Sequence, residues 1–326
     1  MKIENLTKEE VKLIIPDRVK DSHKGTYGKV ALLGGAIEYS GAIRLASMAL
    51  AALKSGAGLS TIAVPRYLVP LIINNILEVM IYPIDSSDDE INFNKENIDG
   101  LISKVDVLAC GMGLGKSKGA HDIIYYIIRN FTGKLVLDAD ALNILSEDID
   151  ILNEAKCKIV LTPHMMEFKR LFDAAFPNDD TNDFAKFEND RIENVKKFLQ
   201  KYNVVLLLKG STTIVAERKD FARANKDTVG ASKDTVGASC ASPEIAFKLV
   251  DRGTPGMSTA GSGDVLSGIL AGFLGYIKNI YDATCAAAFV NGLAGELAAR
   301  DEGEISMTAS DTVRHIAEAI KMTKGK

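Results

Sequence analysis

The stretch Gly253-Thr254-Pro255-Gly256-Met257-Ser258-Thr259-Ala260-Gly261-Ser262-Gly263-Asp264 runs without a break into the apolar segment 265–274. Glycines and small polar residues ahead of such a segment predict a loop that opens a buried helix. The first N–H groups of a helix lack intrahelical partners, and its dipole places about half a positive charge at the same end. The loop therefore offers an anion a close approach to the backbone, with Asp264 beside it as a general base for a hydroxyl. Read alone, the same residues also describe a glycine-rich helix start with Asp264 as a first-turn charge.

Outward from this loop, short runs of mostly β-branched or aliphatic residues at 29–34, 59–64, 107–111, 135–138, 159–162 and 204–209 end at glycine or a polar residue. They predict buried parallel strands. Helical patterns lie between them at 42–55, 119–130, 166–175 and 190–202, and after them at 265–274, 283–300 and 312–323. Such alternation predicts an α/β fold, a mostly parallel sheet with helices on both faces. Ligands of these sheets gather beyond the carboxyl ends of the strands. That is where the pattern puts Gly34-Gly35, Gly111-Met112-Gly113, Asp138-Ala139-Asp140, Thr162-Pro163-His164 and Lys209-Gly210.

Composition bounds the class. With 326 residues, 47% hydrophobic and 25% charged, the chain can bury the core of one large domain or two small ones. A net charge of −4 gives no reason to expect nucleic acid or a membrane as partner, so phosphate binding has to be local. Cys110, Cys157, Cys240 and Cys285 form no CxxC pair. They suggest neither a zinc site nor a disulfide framework, and a reducing cytoplasm fits them best. Residues 1–20 lack the apolar core of a signal peptide. The heptad Lys226-Asp227-Thr228-Val229-Gly230-Ala231-Ser232 is repeated unchanged at 233–239. Small polar residues without apolar periodicity predict a flexible loop insertion around 222–243 in a single domain spanning 1–326.

Three further motifs carry chemistry. Gly111-Met112-Gly113-Leu114-Gly115-Lys116-Ser117 ends like a phosphate-binding Walker loop, but Cys110 stands where the first glycine belongs, and Lys116 spoils a GxGxxG reading. His164 sits at a strand's carboxyl end, either to meet a substrate or to start the next helix. Lys209-Gly210-Ser211-Thr212-Thr213 brings a lysine and three hydroxyls to a turn, fit for nucleotide phosphates or for a plain hairpin. Asp138 and Asp140 are candidates to meet magnesium, and Asp140 equally to cap the helix after it.

Together with His23-Lys24-Gly25-Thr26-Tyr27-Gly28, Ser40-Gly41-Ala42 and Ser55-Gly56-Ala57-Gly58, these motifs occur in an order that resembles the ADP/ATP-dependent NAD(P)H-hydrate dehydratases. The resemblance implies a ribokinase-like three-layer sandwich. It also implies a repair reaction, in which NADHX or NADPHX loses water to regenerate NADH or NADPH at the expense of ADP or ATP. Carried over by motif, Asp264 would deprotonate the ring hydroxyl, and Gly261, Ser262 and Gly263 would form the anion hole. Lys209, Gly210, Ser211, Thr212, Thr213 and Gly263 would hold the nucleotide; Ala42, Gly113, His164 and Asp264 would meet the hydrated dinucleotide. Mg2+ would ride on the nucleotide phosphates, with no direct protein ligand. A homotetramer is implied, as is a separate epimerase protein, since many relatives carry that domain ahead of this one. Where the family usually has His-Pro-Gly-Glu, this chain has His164-Met165-Met166-Glu167. The rivals are a ribokinase-like small-molecule kinase, from which HKGTYG and the His164 turn separate it, and a non-catalytic nucleotide sensor.

Overall fold

Every second residue of the central strands belongs to a different core. Val30 and Leu32 pack with one set of helices, Ala31 and Leu33 with another, and the same alternation holds through Leu135, Val136 and Leu137. A sheet apolar on both faces must be covered twice, which makes three layers. The computed structural model describes residues 3–51, 55–73, 77–219 and 243–326. The duplicated heptads, and the loop expected around them, lie outside the described residues.

The strands are β1 (Glu4–Asn5), β2 (Lys29–Leu33), β3 (Leu59–Pro65), β4 (Met80–Ile84), β5 (Val107–Cys110), β6 (Lys134–Leu137), β7 (Lys158–Leu161), β8 (Val205–Leu208), β9 (Thr213–Arg218) and β10 (Ile245–Val250). They form one sheet in the order β1-β10-β9-β8-β7-β6-β5-β2-β3-β4, parallel except where β9 pairs antiparallel with β8 and β10. The helices are α1 (Lys8–Ile14), α2 (Ser40–Ala51), α3 (Val69–Ile72), α4 (Lys95–Ile102), α5 (Lys118–Asn130), α6 (Asp140–Leu145), α7 (Met165–Ala175), α8 (Phe184–Asn189), α9 (Arg191–Lys201), α10 (Ser262–Tyr276), α11 (Ile280–Glu302) and α12 (Ala309–Lys324). One face carries α1, α2, α10, α11 and α12; the other carries α4 to α9.

All six predicted strands form. β1, β4 and β10 were not legible in the sequence: β1 has two residues, and Pro83 interrupts β4, which as an edge strand tolerates it. Helix α10 is the center of its layer, with residues 265–274 all buried, and it packs on β2 and β5 between α2 and α11. Each Leu, Ile or Phe buried there contributes about 1.5–3 kcal/mol relative to exposure. The 15 residues of α10 carry it across the sheet from one edge to the other, since a helix rises about 1.5 Å per residue. It starts at the carboxyl edge of the parallel strands and ends at the amino edge, where Tyr276 meets Tyr27 edge-on with ring centroids 6.4 Å apart.

Candidate active site

Gly261 begins α10 with φ +92° and ψ −14°, left-handed values that glycine adopts without the strain of a Cβ. A Cβ built there would also stand 2.4 Å from Leu45 Cδ1 of α2. The backbone thus turns sharply under α2 and presents the first turn of the helix to the carboxyl edge. Val265 N–H returns to Gly261 O at 3.0 Å, while the N–H groups of Gly263 and Asp264 have no backbone partner among the described residues. These two donors and the helix dipole favor an anion at this turn; of the expected Gly261, Ser262 and Gly263, the Ser262 N–H is turned instead to Thr259 O at 3.4 Å. The Ser262 hydroxyl beside them is buried without a hydrogen-bond partner among the described residues.

Asp264 lies in that first turn. Burial, then the charge of Asp138, push its carboxyl up to about 7, against the pull of Lys209. A carboxyl that exchanges its proton near neutrality is suited to general base work. Beneath it, Lys209 Nζ donates to Asp138 Oδ1 at 2.8 Å and stands 3.9 Å from Glu167 Oε2. Asp138 Oδ2 accepts from Ser267 Oγ at 2.7 Å. A Cβ placed on Gly263 would be 3.5 Å from Lys209 Nζ and 3.9 Å from Asp138 Oδ2, so the pair sits directly behind the anion site.

His164 is the N-cap of α7: its Nδ1 accepts from the N–H groups of Met166 at 3.2 Å and Glu167 at 3.3 Å, and Glu167 Oε2 accepts from His164 N–H at 2.8 Å. The altered His164-Met165-Met166-Glu167 sequence therefore keeps a complete capping box. Burial, then Lys209, lower the imidazole's pKa, while burial raises that of Glu167. The backbone N–H of Lys209 donates to Pro163 O at 2.8 Å, joining the two turns.

His164, Lys209, Gly210, Ser211, Thr213, Ser262 and Gly263 all border one cleft of about 790 Å³; Thr212, Gly261 and Asp264 are not on its wall. Arg252 and Asn291, which no sequence pattern marked, complete the cleft from the loop after β10 and from α11. Ala42 and Gly113 meet elsewhere on the same edge: a Cβ on Gly113 would lie 3.2 Å from Ala42 Cβ and 2.7 Å from Tyr39 Cβ. Leu45, which touches Gly261, is three residues along α2 from Ala42 and links the two parts.

Asp140 does not cap α6. The N-cap position is Ala139, at φ +49°, and Asp140 instead accepts the Gly115 N–H on Oδ2 at 2.9 Å. The Walker-like ending, by contrast, is a helix cap, with Ser117 Oγ accepting from Ala120 N–H at 3.3 Å at the start of α5. Both oxygens of Asp138 are engaged, and among the described residues no three His, Cys, Asp or Glu side chains group to hold a metal ion.

The HKGTYG stretch is not at this edge. It forms a single turn at Lys24–Tyr27 ahead of β2, at the amino edge, with His23 Nδ1 accepting from Gly25 N–H at 3.1 Å. It packs closely on the turn before β3, where a Cβ on Gly58 would stand 1.7 Å from Lys24 O, and with that turn it borders a cavity of about 560 Å³.

A family model described as NAD(P)H-hydrate dehydratase matches residues 30–240 and 236–318. The bifunctional NAD(P)H-hydrate repair enzyme Nnr of Moorella thermoacetica is 35% identical over 300 residues, 91% of this chain and 50% of that protein. Its counterpart in Coxiella burnetii is 30% identical over 93% of this chain and 52% of that protein. The chain spans about half the length of the curated relatives it matches. Among solved structures, a ribokinase-like protein of Enterococcus faecalis superposes with a TM-score of 0.75 at 22% identity over 99% of this chain and 97% of that one. The ADP/ATP-dependent NAD(P)H-hydrate dehydratase of Bacillus subtilis, co-crystallized with ATP and Mg2+, gives 0.74 at 21% over 99% of both. At these identities the likeness establishes the ribokinase-like fold.

Proposed function

The chain belongs to the NAD(P)H-hydrate dehydratase family, and from that premise we propose that it repairs NADHX and NADPHX, using ADP or ATP to remove the added water. The observation that carries the reading is the first turn of α10: the half-buried Asp264 carboxyl, pushed up to about 7 by burial and Asp138, shares it with two N–H groups that have no backbone partner among the described residues. Hydroxide is a poor leaving group and phosphate a good one. Asp264 takes the proton of the ring hydroxyl as its oxygen bonds to the nucleotide's terminal phosphorus, and the bond to the nucleotide's bridging oxygen breaks. The N–H groups of Gly263 and Asp264 stabilize the charge on the transferring group. Loss of the phosphate, together with a proton from the adjacent ring carbon, then restores the double bond of the dihydronicotinamide ring.

Lys209, Gly210, Ser211, Thr213 and Gly263 border the cleft assigned to the nucleotide, and Ala42, Gly113 and His164 are assigned to the hydrated dinucleotide. Lys209 acts from behind the anion site, through Asp138, rather than as a free phosphate clamp. Magnesium, riding on the nucleotide phosphates, would neutralize their charge. A homotetramer in a reducing, cytoplasmic compartment remains part of the proposal.

The test is incubation with NADHX or NADPHX, magnesium, and ADP or ATP. Recovery of the near-ultraviolet absorbance of reduced nicotinamide supports the reading. No recovery with either nucleotide sinks it, and a stable phosphorylated product of another hydroxyl compound would establish the kinase in its place.

A further inference from the structure

One carboxylate joins three elements behind the anion site. Asp138, at the end of β6, is 2% exposed. Its Oδ1 holds Lys209, from the end of β8, at 2.8 Å, and its Oδ2 holds the fully buried hydroxyl of Ser267, in α10, at 2.7 Å. Ser267 lies three residues beyond Asp264 and four beyond Gly263, so the tether grips α10 one turn below the groups that meet the phosphate. The next residue, Ala139, is the only described non-glycine residue with positive φ. Past that strained link the chain directs Asp140 to Gly115 N–H, at 2.9 Å. Strain of this kind persists where surrounding bonds over-determine it.

We propose that Asp138 is a positioning residue of this site: by holding Lys209 on one oxygen and Ser267 on the other, it fixes the start of α10 against the sheet and sets the field in which Asp264 exchanges its proton. The groups that act on Asp264 are Asp138 and Asp140 from the β6–α6 turn and Lys209 from β8. Glu167 and His164, at the start of α7, face Lys209 rather than Asp264. Asp138 raises the Asp264 carboxyl by like-charge repulsion, and Lys209 and Ser267 blunt that repulsion.

Two substitutions act on this field with opposite signs. Asp138→Asn removes the repelling charge and leaves Lys209 nearer to uncompensated, so the Asp264 titration midpoint falls by about one pH unit. Ser267→Ala removes a donor from Asp138 and keeps its charge, so the midpoint rises by about half a unit. The readout is the carbon NMR titration of labeled aspartate carboxyls in the full chain, with the Asp264 signal assigned by Asp264→Asn. A second readout, the acidic limb of the pH–rate profile, rests on the dehydratase reading and moves in the same directions; the carboxyl titration does not depend on that reading. Inactive wild-type protein would therefore count against the function alone. If Asp138→Asn does not fold, the rise in Ser267→Ala decides the matter. A midpoint unmoved in either folded variant, or shifts of the same sign in both, overturns the proposal.

Discussion

The Lys209 ammonium and the Asp138 carboxylate lie 2.8 Å apart with only 21% and 2% of their side chains exposed. Burial works against the ammonium, but Asp138, then Glu167, outweigh it and raise its pKa, so Lys209 keeps its charge at neutrality. Breaking a buried pair from one side leaves an uncompensated charge, at about 3–5 kcal/mol. Lys209→Met is accordingly expected to lower unfolding free energy by that order in urea titration. The double variant with Asp138→Asn should recover part of the loss. A Lys209→Met protein as stable as wild type would contradict this account of the site's foundation.

Asp264→Asn removes the base without removing the backbone donors. Turnover should drop by about 10²- to 10⁴-fold, the usual contribution of a general base, while nucleotide affinity measured by calorimetry stays within a few-fold of wild type. Lost nucleotide binding with proportionate turnover would place Asp264 in binding rather than in proton transfer.

The pH dependence has a definite sign. Asp264 has to be ionized to accept a proton, so kcat/KM should fall as pH drops below about 7. Stability runs the other way. The folded pKa, about 7, lies above the ordinary 3.8, so the folded state binds the proton more tightly than the unfolded chain. Its stabilizing contribution is full below the unfolded pKa and is lost as pH rises through the window between the two values. Relative to wild type, Asp264→Asn should therefore gain stability between acid and mildly alkaline pH, by on the order of 1–3 kcal/mol, in thermal or urea unfolding. An Asn variant whose relative stability is flat with pH would show that the carboxyl is not displaced.

Gly261→Ala places a Cβ at φ +92° and against Leu45 Cδ1. The left-handed conformation alone costs about 1–2 kcal/mol, and the clash with α2 adds to it. Lower melting temperature together with weaker nucleotide binding is the expected pair of results; a variant normal in both would mean that the turn is not set by this glycine.

The His23 turn offers a control at the other edge. His23→Ala should cost about 1 kcal/mol of stability through the lost cap and leave kcat and KM for the hydrated dinucleotide unchanged. A rise in KM would mean that this edge takes part in binding.

Much of this arrangement was legible in the sequence because parallel strands advertise themselves as apolar runs and ligands collect at their ends. The start of α10 was readable from Gly261 and Gly263 followed by an apolar run, since few other patterns open a buried helix. What local pattern does not carry is pairing between distant segments. Asp138, Lys209 and Ser267 are far apart in sequence and meet only through the sheet order, so Asp138 read as a candidate for magnesium rather than as a clamp. Asn291 and Arg252 were hidden for the same reason. HKGTYG pointed to the family to which the chain belongs, and it lies at the amino edge, where Gly28 packs against Gly275.

The central claim is that the hydroxyl leaves as phosphate, and its most direct measurement follows the hydroxyl oxygen. NADHX bearing a heavy-oxygen label in the ring hydroxyl is converted with magnesium and ADP or ATP, and the inorganic phosphate is analyzed by mass spectrometry. The label should appear in the phosphate, one labeled oxygen for each NADH formed. Label released to water, with unlabeled phosphate, would contradict the account.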